Sequence, residues 1–419
     1  MSFKNKLFRS GTALVVSLLF FVNVSFAQSP SLKKGLWEAE LTLNDSTNLR
    51  FYFEILSHKD KYSVVFINAK ERISTDLITI TKDSVFVKMP VFDSEFKLSR
   101  FFDFPDILKG EWVNHARKDK NVIPFSAGFH GPFVQQFDSI DWKTPEGRWE
   151  STFNQATKDS SKALGIFSQD QDNSIHGTFL TETGDYRFLS GMSYPNNTFY
   201  LSCFDGSHAF LFTGKTKGDS IVNGHFYSGA HHHEPWLAVR NDKFQLRNPD
   251  SLTYLKPGYS KINFSFNNLE GKTVSLSDPK YKGKVVIVQL MGSWCPNCMD
   301  ETKFLASFYD QYKTKGLEVV ALAFERTADF SKAVQNVTRL KNRFAANYDF
   351  LITMKTGKDQ ASAALPMLNE VMAFPTTIYI DKKGVVRKIY TGFNGPATGA
   401  AYTQFEEETT RFIEKLLQE

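Results

Sequence analysis

The apolar run Val285-Val286-Ile287-Val288-Gln289-Leu290-Met291 leads into Trp294-Cys295-Pro296-Asn297-Cys298 and then into an amphipathic stretch. A short run so rich in β-branched residues reads as a buried strand, and Pro296 suits the first turn of a following helix, where its missing N–H costs no hydrogen bond. Two cysteines therefore fall at a strand-to-helix junction. The first sulfur sits where unpaired backbone N–H groups and the helix dipole favour a thiolate. Two intervening residues put the second sulfur on the same turn, within reach of a disulfide. A zinc site would normally need another Cys/His pair, and the remaining cysteine, Cys203, is remote. The motif points to dithiol chemistry that requires no metal and no organic cofactor.

Residues 1–27 read as a secretory leader. Lys4, Lys6 and Arg9 precede an apolar segment from Ala13 to Val24, and Ser25-Phe26-Ala27 offers small residues for cleavage before Gln28. The segment is short for a membrane span, which makes an uncleaved anchor the lesser reading. The expected location is the periplasm or cell envelope. Without the three leader cations the formal net charge falls from +5 to +2, too near neutrality to argue for nucleic acid as a partner. Three cysteines in an exported chain of 419 residues do not make a disulfide scaffold, so the pair is read as reactive.

Periodicity divides the chain. From Lys34 to about Arg240 short alternating runs such as Leu49-Arg50-Phe51-Tyr52-Phe53-Glu54-Ile55 are separated by turn residues, the pattern of an all-β sandwich or barrel. This half looks duplicated. Gly35-Leu36-Trp37-Glu38 returns as Gly147-Arg148-Trp149-Glu150, and Phe92-Asp93 and Phe204-Asp205 repeat at the same offset. Two similar β-lobes are expected, over residues 28–140 and 141–250. Leu252 to Gly258 reads as a linker about which the halves fold independently. Residues 256–419 then alternate strands and helices, as one α/β domain does. Its expected elements are strands at Val285–Met291, Leu317–Ala323, Thr376–Ile380 and Val385–Tyr390, a short helix near Gln360–Asn369 and a terminal helix.

Trp294-Cys295-Pro296-Asn297-Cys298 on a strand–helix turn, with Phe374-Pro375-Thr376-Thr377 entering a later strand, resembles the thioredoxin fold. The lead-in Ile262-Asn263-Phe264-Ser265-Phe266, the stretch Asn268-Leu269-Glu270-Gly271-Lys272 and the insertion from Phe324 to Glu370 are similar to the TlpA/ResA-like exported branch. The resemblance covers roughly Lys256 to Glu419, and the added β-rich half looks like exported proteins of Bacteroidetes-type bacteria. It implies a thiol–disulfide oxidoreductase in which Cys295 attacks and Cys298 resolves. It further implies that Pro375 is a cis-proline facing the disulfide, with Trp294 and the Phe374 backbone meeting the substrate chain. The implied partners are extracytoplasmic proteins bearing disulfides and an upstream thiol donor held at the membrane. Two positions depart from cytosolic thioredoxin: Gln289 stands where a buried carboxylate is found, and Pro-Asn separates the cysteines. Glu301 matches a glutamate of the exported members.

Other residues carry competing readings. Glu301 lies one turn beyond Cys298, either as a proton shuttle or as a solvated glutamate in an early helical turn. His231-His232-His233, with His225 nearby, reads as an exposed polar turn rather than a metal site, because adjacent strand residues alternate faces. Cys203 reads as a small core residue. A disulfide reductase is the preferred function. An oxidase or isomerase using the same cysteines, and a substrate- or surface-binding protein acting through its β-rich half, are the alternatives.

Overall fold

The computed structural model describes residues 32–59, 61–101, 103–130, 144–170 and 174–419, so the leader assigned to residues 1–27 lies outside the described residues. The N-terminal region forms two nine-stranded antiparallel sheets. The first contains β1 (Gly35–Asn44), β2 (Thr47–His58), β3 (Lys61–Asn68), β4 (Glu71–Thr75), β5 (Ile78–Ile80), β6 (Ser84–Lys88), β7 (Ser94–Arg100), β8 (Ile107–Asn114) and β9 (Val122–Phe129). Their order is β4-β3-β2-β1-β9-β8-β7-β6-β5. The second contains β10 (Gly147–Phe153), β11 (Ser161–Gln169), β12 (Ser174–Thr181), β13 (Gly184–Asp185), β14 (Leu189–Ser193), β15 (Thr198–Phe204), β16 (Ala209–Lys217), β17 (Ser220–Ser228) and β18 (His232–Arg240). The period of two survives into the structure: Trp37, Ala39, Leu41 and Leu43 of β1 all point inward, with more exposed residues between them.

The sequence repeat has a structural counterpart, in which each strand of the first sheet corresponds to the strand nine positions later. β1 pairs with β2 and β9, as β10 pairs with β11 and β18. Gly35 and Gly147 open the equivalent strands with φ of 118° and 116°, a region closed to residues with a Cβ. Trp37 and Trp149 are fully buried, and each indole N–H donates to a carbonyl four residues earlier, Lys33 at 3.1 Å and Pro145 at 2.6 Å.

The two copies differ in closure. β12 pairs with both β11 and β14, so the second sheet closes on itself as a barrel around Trp149, Phe153, Phe179 and Phe212. Among the described residues the first sheet has no equivalent pairing and ends at β4 and β5. Its core is completed by the second lobe instead. Phe204, at the end of β15, stacks on Phe51 with ring centroids 4.7 Å apart and meets Phe66, Phe96 and Trp112. Asn68 fixes this insertion: its Nδ2 donates to the Phe204 carbonyl at 2.9 Å, and its Oδ1 accepts from the Phe204 N–H at 3.1 Å.

The C-terminal region is thioredoxin-like. It comprises β19 (Ser265–Asn268), β20 (Thr273–Ser275), β21 (Val285–Met291), α1 (Pro296–Tyr312), β22 (Leu317–Ala323), α2 (Phe330–Arg343), β23 (Asp349–Ile352), α3 (Gly357–Ala364), β24 (Thr376–Ile380), β25 (Val386–Thr391) and α4 (Ala400–Gln418). The sheet order is β20-β19-β23-β22-β21-β24-β25, with β21 to β23 parallel and β24 antiparallel to β21. Every residue of β21 is buried, as its near-continuous apolar sequence requires.

Three expectations need correction. Residues 349–352, not anticipated as a strand, form β23. The short helix lies earlier than expected and stops at Ala364, ahead of Pro366. The stretch read as a linker is stitched to the α/β domain: Leu252 and Thr253 are buried, the Thr253 N–H donates to Thr391 Oγ1 at 3.1 Å, and the Lys256 N–H donates to the Met367 carbonyl at 2.9 Å. Leu32–Glu419 form one compact unit.

Truncating the ring that completes the first lobe should be costly. Phe204→Ala is expected to lower unfolding free energy by about 3–5 kcal/mol in urea titration, the range for a buried phenylalanine. A loss no larger than that of a surface substitution would show that the first sheet closes without it.

Candidate active site

Strand β21 runs directly under the reactive turn, and its pairing with β22 and β24 fixes where that turn begins. Cys295 is the N-cap of α1: its Sγ accepts from the Cys298 N–H at 3.3 Å, and Pro296 occupies the first helical position. This is the helix-terminus placement that stabilises a thiolate. Cys295 is 7% exposed and Cys298 wholly buried, so the first sulfur is the accessible one. Neither is bonded to another cysteine. The Phe374–Pro375 peptide is cis. The Phe374 carbonyl accepts from the Cys295 thiol at 3.5 Å, and its ring stands edge-on to Trp294 with centroids 5.9 Å apart. Trp294 is anchored by its indole N–H to the Phe324 carbonyl at 3.0 Å.

Beneath the sulfurs lies a small polar cluster. Gln289 Nε2 donates to Glu301 Oε2 at 2.8 Å and also lies 3.4 Å from the Cys298 carbonyl, while Thr377 Oγ1 donates to Glu301 Oε1 at 2.5 Å. Glu301 is 1% exposed, which removes the reading of a solvated helix glutamate. Burial pushes its carboxyl up to about 7, against the opposing effect of the hydrogen bonds from Thr377 and Gln289. Burial, reinforced by the neighbouring Cys295, likewise holds the Cys298 thiol well above its ordinary range.

Sequence reasoning did not anticipate that the second β-lobe grips this turn. Arg187, between β13 and β14 and 1% exposed, donates from Nη1 to the Pro296 carbonyl at 3.2 Å. It also forms ion pairs with Asp300 of α1, Glu71 of the first lobe, and Asp205. Asn297 Nδ2 donates to the Asp185 carbonyl at 3.1 Å, and Ser207 Oγ donates to the Trp294 carbonyl at 3.0 Å. Both residues between the cysteines are thus held from outside their own domain. The repeated Phe-Asp pair was the available signal. Asp205 meets Arg187, while its counterpart Asp93 meets Lys332 of α2 at 2.8 Å.

Among the remaining candidates, Cys203 lies close to the Arg187 ion pairs. Cys203 is buried in the second barrel's core. His225 and His233 face each other across β17 and β18, with Nδ1 and Nε2 3.0 Å apart, and His231 lies in the preceding turn. Among the described residues no group of three or more His, Cys, Asp or Glu is placed to hold a metal ion.

A family model described as Redoxin matches residues 257–404. The chain is 34% identical over 133 residues to the thiol-disulfide oxidoreductase ResA of Bacillus cereus, a match covering 32% of this chain and 68% of that protein. It is 29% identical over 140 residues to the thiol-disulfide oxidoreductase ResA of Geobacillus thermodenitrificans, covering 33% of this chain and 72% of that one. Among solved structures, a thioredoxin-family thiol:disulfide interchange protein from Chlorobium tepidum aligns with 18% identity and a TM-score of 0.28, over 38% of this chain and 95% of that one.

Two stability measurements test the buried charges. Glu301 has a carboxyl raised from 4.5 to about 7, so between those values the folded chain keeps a proton that the unfolded chain has released. Its favourable contribution is complete below the lower value and is lost as pH rises through the upper one. Glu301→Gln removes that loss. The variant's stability minus the wild type's should therefore grow by about 3 kcal/mol from mildly acidic to mildly alkaline pH, and a flat difference would place the carboxyl near its ordinary value. Arg187→Met leaves buried carboxylates without their cation and should cost about 3–5 kcal/mol at neutral pH. An unchanged urea midpoint would exclude Arg187 as a structural anchor.

Proposed function

Since the chain belongs to the thioredoxin-like family of thiol–disulfide oxidoreductases, we propose that it works outside the cytoplasm as a reductase of protein disulfides. The observation that carries this reading is the Cys295 sulfur at the N-cap of α1, beside the Phe374 carbonyl and directly above a buried second thiol. Cys295 as thiolate attacks one sulfur of the substrate, the substrate S–S bond breaks, and the departing sulfur takes up a proton. Cys298 then gives up its proton and attacks Cys295. A Cys295–Cys298 disulfide forms, and the substrate leaves as a dithiol, two electrons richer. Glu301, titrating near neutrality below the sulfurs, is the proposed acceptor of the Cys298 proton. Trp294 and Phe374 supply the apolar surface and the backbone carbonyl against which a substrate chain lies, next to Pro375. An external dithiol donor, proposed to be membrane-bound, returns the pair to its reduced state. The leader-like pattern of residues 4–27 supports export.

Trapping tests the assignment. Cys298→Ser should accumulate a mixed disulfide through Cys295, visible by mass spectrometry and released by reductant, whereas Cys295→Ser should accumulate none and Cys203→Ser should behave as wild type. Turnover of a model disulfide should fall at least about a hundredfold in either active-site variant, since the exchange needs both thiols. A Cys295→Ser variant that still reduces disulfides would leave the β-rich half as the seat of activity.

A further inference from the structure

Two arginines lie at the mouth of the reactive turn, and among the described residues neither forms an ion pair with a carboxylate. The guanidinium of Arg326, in the loop after β22, lies 3.7 Å over the ring of Trp294, the residue preceding Cys295. Arg117 belongs to the turn between β8 and β9 of the first lobe, a stretch that also carries Lys118 and Lys120 against the single acid Asp119. A chain of hydrogen bonds sets that turn over the site. The Arg117 N–H donates to the Asn114 carbonyl at 3.2 Å, Asn114 Nδ2 donates to the Ser207 carbonyl at 3.0 Å, and Ser207 Oγ donates to the Trp294 carbonyl at 3.0 Å.

The arginines sit close enough to repel one another. Burial and then the charge of Arg326 hold Arg117 below its usual value. Burial also lowers Arg326, and the charges of Cys295 and Glu325 oppose that effect. Glu325 offsets part of the Arg326 charge, but both its carboxylate oxygens are turned inward, accepting from the Ser293 N–H and Ser293 Oγ, each at 2.7 Å. His231 from the second lobe lies near Arg117; burial, Arg117, His232, His208 and Lys120 push it down to about 4. Among the described residues, no ion pair or side-chain hydrogen bond reaches either guanidinium. Several neighbouring acids are engaged elsewhere: Asp205 with Arg187 and His208, Asp93 with Lys332 and Arg339, and Glu95 with His115.

Holding like charges together costs free energy, and an anion placed between them recovers it. Two planar guanidiniums suit a carboxylate better than two point cations would, and Arg326 is already oriented by its stack on Trp294. We propose that Arg117 and Arg326 form an anion-recognition site at the lip of Cys295, selecting disulfides that carry a carboxylate beside the scissile sulfur. This rests on the dithiol reading of the preceding subsection. It adds no chemical step and bears on which disulfide is positioned for attack. It also gives the first β-lobe a part in substrate choice, since Arg117 is the lobe's contribution to the mouth.

Three small disulfides that differ in charge test the site in the full-length reduced protein: dithiodipropionate, dithiodiethanol and cystamine. Each second-order rate is divided by the rate of the same disulfide with dithiothreitol, which removes intrinsic reactivity. The wild type should prefer the dianion over the neutral compound by about tenfold, and the neutral compound over the dication by a similar factor. Arg326→Gln should compress that series, and Arg117→Glu should reverse it in favour of cystamine, a gain that a folding defect cannot produce. Equal normalised rates in the wild type, or an unchanged order in Arg117→Glu, would overturn the proposal. Failure to reduce any of the three would instead overturn the dithiol reading, and this inference with it. Cyclic peptide disulfides with Asp or Lys beside one cysteine separate the two sources of the carboxylate. An Asp preference assigns the site to protein substrates, and preference for the small acid alone assigns it to small acidic disulfides.

Discussion

The arrangement around Cys295 depends on one buried cation. Arg187 joins Glu71 of the first lobe, Asp205 of its own lobe and Asp300 of α1, while its Nη1 reaches the Pro296 carbonyl between the two cysteines. A guanidinium at 1% exposure has lost most of its hydration, which only close, hydrogen-bonding anions offset. The acids exceed the cation in number, and their protonation reflects it. Burial drives the Asp300 carboxyl up to about 7 and also raises Asp185, whereas His208 and Arg187 keep Asp205 low despite its burial. Arg187 adopts a φ of 59°, a backbone region that a non-glycine residue keeps only where its surroundings hold it. The three parts of the chain are thereby tied at the position where the reactive turn needs support.

The duplicated β-region explains how such an interface arises. Two copies with the same strand order would each be self-sufficient if both closed. Among the described residues only the second does, through β11–β12 and β12–β14 pairing. The open first sheet takes Phe204 into its core, and the turn following Phe204 presents Asp205 to Arg187 and Ser207 to Trp294. Incomplete closure of one copy thus positions the loop through which both lobes reach the active site. The repeated Phe-Asp dipeptide does related work in each lobe, since Asp93 docks on Lys332 and Arg339 of α2.

What could be read from the chain alone follows from how local each signal is. β21, β22 and β24 match their anticipated limits because runs of buried, largely β-branched residues have few alternatives. The reactive turn was legible because Cys-x-x-Cys and Pro296 act within a single helical turn. Arg187 was not, because two of its three carboxylate partners, Glu71 and Asp300, lie more than a hundred residues away in sequence, one on each side. β23, with four residues, is too short to show a period. The Leu252–Gly258 stretch misled because Lys256-Pro257-Gly258 has turn composition, while the burial of Leu252 and Thr253 depends on partners in β25 and beyond α3.

Gln289 and Glu301 show how a substitution at one position makes sense only beside another. An amide on β21 cannot exchange a proton, but it can orient a carboxylate that does. Gln289 donates from one side of Glu301 and Thr377 from the other, and both bonds favour the charged carboxylate. Burial favours the neutral form and dominates, which brings the carboxyl to about 7. Had Gln289 been a second carboxylate, the two acids would have repelled each other at 2.8 Å and one of them would have stayed protonated well into the alkaline range. With an amide there, Glu301 titrates near neutrality one turn beyond Cys298, so it can alternate between protonated and ionised forms as the sulfurs change state. Moving the carboxylate from strand to helix keeps an ionisable group beneath the thiols, and the amide on β21 helps to hold it there.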